Sequence, residues 1–200
     1  MLERSAISDI FRGQVAYLLE CPGQKDSLTL QPFITVQLDV QHQSVTSAQE
    51  ALRRFVAREA VTNYTNSSKI KVDATKRTLF DVLPKVLVLH FKWFKYDAKG
   101  GLLKNTKQFY LDECLEIQDD LMTPHSSRRM AAHMKKYELF AVVTHIGSQA
   151  VGGHYYTDAF HKGYMQWLRY DDEKIHKVCF LWDGGFIVCL VGWLIDRLFV

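Results

Sequence analysis

Long uncharged apolar segments are scarce in this chain of 200 residues. The longest, residues 184–195, spans about a dozen residues, whereas a helix that crosses a bilayer needs about 20. Charged residues stand on both sides of it, at Asp183 and Asp196. The first 14 residues contain no apolar core of the kind a signal peptide has. We therefore expect no membrane association.

Cysteine is also sparse. The chain has four cysteines, and their irregular spacing does not match a disulfide framework. A small secreted protein held together by disulfides is therefore excluded, and we expect a reducing, intracellular setting.

Charge of one sign is not concentrated in any segment. Lysine and arginine together number 25 against 22 acidic residues, which gives a net charge of +3. Basic clusters such as 128–129 and 135–136 are short, as expected for solvated loops. The pattern does not resemble a nucleic-acid footprint, so we expect no nucleic-acid partner.

The residues that are present predict mostly strands. Alternating, β-branched and aromatic side chains indicate strands at 11–19, 28–30, 33–40, 82–94, 138–145, 155–160 and 165–170. Ser47 and Glu50 form a capping box that predicts a helix, and helical spacing continues to Ala60. Segments 62–71 and 119–136 are polar and are predicted as loops.

Two polar residues stand at the ends of neighbouring predicted strands. His154 follows the glycine pair at 152–153 and begins one strand, and Asp171 follows the next strand. Strands that pair would hold these side chains close together, which suits a general base and the carboxylate that orients it. A histidine beside glycines is more often a turn residue than a catalyst, so the interpretation depends on the surrounding sequence.

Three segments, in order along the chain, carry a recognisable pattern. The first is Phe-Arg-Gly-Gln at 11–14, followed by Gln-Pro-Phe at 31–33. The second is LPKVLVLHFKWF at 83–94. The third, 137–172, combines His145-x-Gly, a Gly-His-Tyr triplet, a tryptophan, and an aromatic residue before two aspartates.

These segments resemble the ubiquitin-specific protease family over about residues 7–178. The family is one of cysteine proteases that remove ubiquitin from lysine side chains, and segment 137–172 is similar to its histidine box. Segment 83–94 is similar to its Leu-Pro-x-x-Leu-x-x-x-Leu-Lys-Arg-Phe strand, with Trp93 where arginine is usual.

The resemblance implies a fold and a domain organisation. The fold is α+β, the papain-like cysteine protease fold of this family in partial form, with its fingers and palm and a mostly antiparallel sheet. Residues 1–178 would be a partial catalytic domain, and 179–200 a divergent apolar tail. Altered splicing or gene-model read-through explains this tail better than a membrane anchor does. Because the family has a last strand where the tail begins, we expect the sheet to lack that strand.

The resemblance also implies a reaction, hydrolysis of the isopeptide bond at the C-terminus of ubiquitin by a cysteine thiolate. His154 would take the thiol proton and later protonate the leaving amine. Asp171 would fix the imidazole tautomer, and Asp172 would help to order a water or the oxyanion donors.

Ubiquitin and ubiquitinated proteins are the implied partners. Gly152, Gly153 and Tyr155 are the implied ubiquitin-binding residues, because glycines let a narrow Gly-Gly tail approach the backbone closely. The implied location is the cytoplasm, with the nucleus as a second location. No cofactor is implied.

The sequence departs from the family at the nucleophile. The family's cysteine lies in a Gly-x-x-Asn-x-Gly-Asn-Thr-Cys-Tyr box, which this sequence does not contain. Cys21 precedes a Pro-Gly turn, Cys114 lies in a predicted strand as a small buried side chain, and Cys179 and Cys189 follow the histidine. The chain thus carries two triad members without the third. A catalytically inactive ubiquitin-binding module is the alternative.

A structural zinc is not expected. Many family members carry two Cys-x-x-Cys pairs, which make a tetrahedral thiolate site. Here Cys21 stands where the first pair would begin, but position 24 is Gln24, and 64–70 contain no cysteine. We predict no metal.

Overall fold

The computed structural model describes residues 5–96, 100–105, 107–147, 152–179 and 188–195. The α-helices are α1 (Ala6–Phe11), α2 (Ala48–Phe55) and α3 (Pro124–Arg129). The first strands are β1 (Gly13–Glu20), β2 (Ser27–Phe33), β3 (Thr35–Asp39), β4 (Glu59–Thr65), β5 (Lys71–Val82), β6 (Val86–Lys92), β7 (Phe94–Tyr96) and β8 (Leu102–Lys104). The others are β9 (Cys114–Glu116), β10 (Lys136–Ile146), β11 (His154–His161), β12 (Gln166–Asp171), β13 (Lys174–Val178) and β14 (Val188–Ile195).

Two large sheets and a two-stranded sheet, β7-β8, organise the described residues. A four-stranded sheet has the order β2-β1-β5-β4, and an eight-stranded sheet has the order β13-β12-β11-β10-β14-β6-β3, with β9 also pairing to β10. Both are antiparallel except where β3 runs parallel to β6. The predicted α+β class with a mostly antiparallel sheet is therefore confirmed.

The hydrophobic core joins α2, the eight-stranded sheet and the base of the four-stranded sheet. Leu52 of α2, Phe80 of β5 and Leu89 of β6 are each fully buried within it. Tyr137 is buried as well, and its hydroxyl donates to the carbonyl of Pro84 over 2.7 Å, so the one polar atom of this side chain is satisfied. The core thus includes residues of β10, which pairs in the sheet with β11, the strand that begins with the candidate site residue His154.

Helix α2 begins as the sequence predicts. The Ser47 hydroxyl accepts from the Glu50 N–H, and the Glu50 carboxylate accepts from the N–H groups of Thr46 and Ser47. These bonds stabilise the charged form and lower the pKa of Glu50. The helix ends at Phe55, however, and Ala60 lies in β4, so the predicted extension is wrong.

The two predicted loops contain regular structure. Segment 62–71 falls mostly in the β4–β5 hairpin, whose turn is closed by the Asn66 side chain accepting from two backbone N–H groups. Segment 119–136 contains short 3₁₀ helices and α3, which begins with Thr123 as its cap and Pro124 in its first turn. Leu121 is fully buried and anchors this segment to the core. The polar composition of the segment does not indicate this burial.

The tip of the four-stranded sheet is closed by a hydrogen bond. The Gln24 amide donates to the Ser67 hydroxyl over 2.8 Å and joins the turn after β1 to the turn after β4. These are the turns where the resemblance would place two cysteine pairs. The prediction that the chain binds no metal stays a prediction.

Strand β14 lies in the middle of the eight-stranded sheet. Its backbone pairs antiparallel with β10 on one side and with β6 on the other. The expectation that the sheet lacks a last strand is therefore wrong, because the 179–200 segment supplies one. The boundary at residue 178 itself stays a prediction. Within the described residues, helices are too short to cross a bilayer.

Candidate active site

His154 and Asp171 are brought together by the pairing of β11 with β12. His154 is the first residue of β11, and Asp171 is the last residue of β12. The imidazole Nε2 hydrogen-bonds to the carboxylate Oδ1 of Asp171. An ionised carboxylate can only accept, so Nε2 carries the hydrogen and Nδ1 holds the lone pair of the neutral ring. The Nδ1 atom is therefore the basic atom of the pair.

The electrostatics of this pair favour the charged form of both groups. The hydrogen bond to Asp171 raises the pKa of His154 above its ordinary 6.5, and the charges of Asp171 and Asp172 add to the effect. The same bond lowers the pKa of Asp171 below its ordinary 3.8. The His154 side chain is 44% exposed, so it can accept and release protons.

Asp172 lies in the two-residue turn between β12 and β13. Its backbone φ of 51° is left-handed, a conformation that aspartate tolerates better than most residues. One ligand atom each from His154, Asp171 and Asp172 lie within 4.8 Å of one another, a spacing that could hold a cation. Because Nε2 of His154 already binds Asp171, a cation there would compete with this hydrogen bond and with protons.

The predicted ubiquitin-binding residues border His154 on the chain. Gly152 and Gly153 have φ angles of 83° and 121°, which are accessible to glycine and strained for other residues. Both glycines are exposed, and Tyr155 is 56% exposed on the adjacent strand position. The glycines precede His154 and Tyr155 follows it on the chain. Their role in binding stays a prediction.

Two buried polar residues near the site were missed by the sequence analysis as site residues. His145 lies at the end of β10 and is 1% exposed, and its Nε2 lies 3.1 Å from the carbonyl oxygen of Gly152. Asp158 in β11 is 4% exposed and accepts two hydrogen bonds from Arg169 in β12. This pair could have been found from the sequence. If β11 and β12 are paired so that His154 lies near Asp171, the opposite charges of Asp158 and Arg169 face each other.

The Asp158–Arg169 pair fixes the register of the two strands that carry the site. Its hydrogen bonds measure 2.7 and 2.8 Å in a bidentate arrangement, and the residues are direct register partners. The guanidinium also lies 3.9 Å from the ring centre of Tyr156, a cation–π contact. Its hydrogen bond to Asp158 raises the pKa of Arg169 further. This register places Asp171 within hydrogen-bonding reach of His154.

We expect Arg169→Met to lower the free energy of unfolding by about 1–3 kcal/mol, because it leaves the Asp158 carboxylate buried without its partner. The matched control is Arg58→Met. Arg58 also contacts a carboxylate, that of Glu20, over 2.7 Å, but its side chain is 60% exposed. Breaking that exposed pair should cost less than about 1 kcal/mol. Urea denaturation compares the two, and equal losses would contradict the role assigned to burial.

Three cysteines, Cys21, Cys114 and Cys179, lie away from His154. Cys114 pairs with Glu138 of β10, and His154 pairs with Ile146 of the same strand. Glu138 and Ile146 are eight residues apart, and eight residues of a strand span about 26 Å at about 3.3 Å per residue. Cys114 is also exposed, so its prediction as a buried side chain is wrong. Cys21, in the turn after β1, belongs to the other sheet. Cys179 is exposed and follows β13 at the end opposite Asp171.

Comparison with known proteins identifies the family. The family model described as "Ubiquitin carboxyl-terminal hydrolase" matches residues 1–180. The chain therefore belongs to this family of ubiquitin-specific proteases, and the resemblance seen in the sequence is confirmed. The predicted papain-like fold of the family is confirmed with it.

Its curated relatives include several forms of one hydrolase. Ubiquitin carboxyl-terminal hydrolase 10-A of Xenopus laevis is 41% identical over 175 residues, which are 88% of this chain and 22% of the relative. Hydrolase 10 of Rattus norvegicus gives the same values. The segment 22–33 also predicts a likeness to hydrolase 10, which these matches confirm. The chain spans about a fifth of the length of these relatives.

Solved structures show the same fold. The SAGA Ubp8/Sgf11/Sus1/Sgf73 DUB module bound to ubiquitin aldehyde matches 98% of this chain and 43% of its own chain, with a TM-score of 0.82 and 22% identity. The SAGA DUB module bound to monoubiquitin matches the same shares with a TM-score of 0.81 and 23% identity.

Proposed function

We propose that this chain provides the histidine and aspartate of a deubiquitinating enzyme. The proposed reaction is thiol-dependent hydrolysis of the isopeptide bond at the C-terminus of ubiquitin. The observation that carries the proposal is the contact between His154 and Asp171 at the accessible end of β11. Relatives that are ubiquitin carboxyl-terminal hydrolases support it.

In the proposed reaction, His154 transfers a proton twice. Its Nδ1 atom accepts the proton of a cysteine thiol, and the thiolate attacks the carbonyl carbon of the terminal glycine of ubiquitin. The imidazolium then protonates the leaving lysine amine as the C–N bond breaks. In the second half, Nδ1 takes a proton from water as the water oxygen attacks the thioester carbonyl, the C–S bond breaks, and the imidazolium returns the proton to the sulfur. Asp171 stabilises the imidazolium each time it forms and fixes the tautomer of the neutral imidazole.

The nucleophilic cysteine of this proposal lies outside the 200 residues of the sequence. The family's cysteine box does not occur in them, and the register of the strands holds Cys114 far from His154. A thiolate needs a nearby imidazole to lower its pKa, so Cys114 is not suited to the role.

The surface next to His154 suits a narrow extended peptide. Gly152 and Gly153 have no side chains to obstruct it, and Tyr155, which follows His154, is 56% exposed. We assign these residues to the Gly-Gly tail of ubiquitin and Asp172 to ordering a water or the oxyanion donors. Ubiquitin and ubiquitinated proteins are the proposed partners, and the cytoplasm and nucleus the proposed locations.

The second candidate is a catalytically inactive ubiquitin-binding module. The absence of a cysteine box from the sequence favours it. This candidate uses the same surface at 152–155 without any chemistry, so His154 and Asp171 would be dispensable for function.

A chimera tests the proposal. Residues 1–180 of this chain replace the matching segment of rat hydrolase 10, which supplies the remaining part of the catalytic domain. We expect the chimera to release the fluorophore from a ubiquitin C-terminal amide, and the isolated chain to release none. A chimera that binds ubiquitin without turnover would favour the binding module. Turnover by the isolated chain that survives replacement of its four cysteines would contradict the assigned chemistry.

A further inference from the structure

The segment that precedes His154 is held at both ends by side chains that the proposed reaction does not use. Its described ends are Gly147, which follows β10, and Gly152 and Gly153, which precede β11. The backbones of its two ends approach closely, since a Cβ atom on Gly147 would lie 3.2 Å from the Cα atom of Gly153. The position of His154 therefore depends on what fixes these ends.

His145 fixes the end next to His154. Its ring is buried between the rings of Tyr155, at 4.6 Å between centroids, and Phe94, at 6.2 Å. Because a carbonyl oxygen can only accept, the ring nitrogen Nε2 donates to Gly152 over 3.1 Å. The aromatic contacts orient the ring, and the hydrogen bond transfers that orientation to the backbone two residues before His154.

Gly153 packs directly onto the same ring. A Cβ atom at this position would lie 2.4 Å from Nε2 of His145 and 2.5 Å from the carbonyl oxygen of Ile146. Only glycine allows the backbone to lie this close to the imidazole. His145 and Gly153 are thus in tight van der Waals contact, and this contact restricts the movement of His154.

Lys104 fixes the other end from outside the sheet. It lies on β8, which pairs with β7, and its ammonium donates to the carbonyl oxygens of His145 and Gly147. The same ammonium lies 5.8 Å from the ring centre of Phe94, which in turn contacts His145. The β7–β8 pair and the segment before His154 therefore share one connected set of contacts.

We propose that His145 and Lys104 are positioning residues that together hold the start of β11 and so keep His154 against Asp171. His145 acts through its Nε2–H on Gly152, and Lys104 acts through its ammonium on the carbonyls of His145 and Gly147. The inference deepens the proposed function, and it rests on that function for its catalytic meaning.

Paired variants of His145 separate the hydrogen bond from ring packing. His145→Gln keeps an N–H donor at a similar reach and loses the ring, whereas His145→Phe keeps a ring and loses the donor. We expect His145→Phe to speed amide hydrogen exchange at 153–155 at least about 10-fold in the full chain, corresponding to a local opening made easier by about 1.4 kcal/mol. His145→Gln should remain close to the unsubstituted chain.

A second pair of variants avoids the core. Lys104→Met keeps the aliphatic stem without the donor, and Lys104→Arg keeps a donor. Lys104→Met should accelerate exchange at the same amides, and Lys104→Arg should not. Exchange at Val142 and Asp158, paired further along the same two strands, is the internal control and should not change in any variant.

The titration of His154 reports on its contact with Asp171, whereas the exchange control at Val142 and Asp158 reports general loss of structure. If the start of β11 shifts, the contact with Asp171 loosens, and the His154 titration measured by NMR moves down towards its ordinary midpoint in His145→Phe and Lys104→Met. The proposal is overturned if exchange and titration are unchanged in both variants, or if exchange accelerates equally along all of β10 and β11. These readouts require no turnover, so they stand apart from the outcome of the chimera.

Discussion

His154→Ala is expected to reduce turnover of a ubiquitin C-terminal amide by about 10²–10⁴-fold in the chimera with rat hydrolase 10, while ubiquitin binding is largely retained. The imidazole is the proposed acceptor of the thiol proton and the donor to the leaving amine, so both halves of the reaction lose their proton carrier. Binding persists because the glycine pair and Tyr155 are unchanged. Steady-state rates and a ubiquitin titration measure the two effects. Near-normal turnover would remove His154 from the mechanism.

Asp171→Asn provides the graded comparison. An amide can still hold the ring of His154, so the loss of turnover should be smaller than with His154→Ala. The charge that raises the pKa of His154 is removed, so its titration midpoint should fall towards 6.5.

In the unsubstituted chain, the ion pair between His154 and Asp171 stabilises the fold at pH values below 6.5, and this contribution is lost as the pH rises through the raised pKa of His154. On the acid side, it is lost as pH falls through the lowered pKa of Asp171.

Gly153→Ala is expected to lower the free energy of unfolding by about 2–4 kcal/mol. Two independent costs combine. The backbone φ of 121° is strained for any residue with a Cβ atom. The added methyl group would also overlap Nε2 of His145 and the carbonyl oxygen of Ile146, and neither the buried ring nor the strand backbone can yield easily. Chemical denaturation measures the loss.

Gly152→Ala is the matched control for this effect. Its φ of 83° imposes a similar strain, but a Cβ atom there would meet nothing within 4 Å. The loss should therefore be about 1–2 kcal/mol, from backbone strain alone. Equal losses at the two glycines would show that the close contact of Gly153 with His145 contributes nothing measurable.

The candidate site was predictable where local patterning was strong. His154 and Asp171 stand at the ends of strands with clear alternation, and antiparallel pairing of successive strands brings such ends together. The capping box at Ser47 and Glu50 is also local, and the structure has it as predicted. In each case, residues close in sequence carry the information.

The missed features depend on contacts between distant segments. The buried Leu121 gives 119–136 its short helices, although the segment is mostly polar. Lys104 reaches residues more than 40 positions away, which no local pattern signals. The 188–195 strand was missed for another reason, because its continuous apolar run departs from the family's ending and shows no alternation.

The central position of β14 has a consequence for the order of events during synthesis. Its partners β10 and β6 leave the ribosome first, and β6 precedes β14 by about 100 residues, or roughly 5–20 s at about 5–20 residues per second. Before β14 emerges, β6-β3 and later β13-β12-β11-β10 can form as separate groups, each with an edge that β14 will pair. Such edges are templates for strands of other chains. The nascent protein therefore passes through a stage at which intermolecular pairing competes with its own closure.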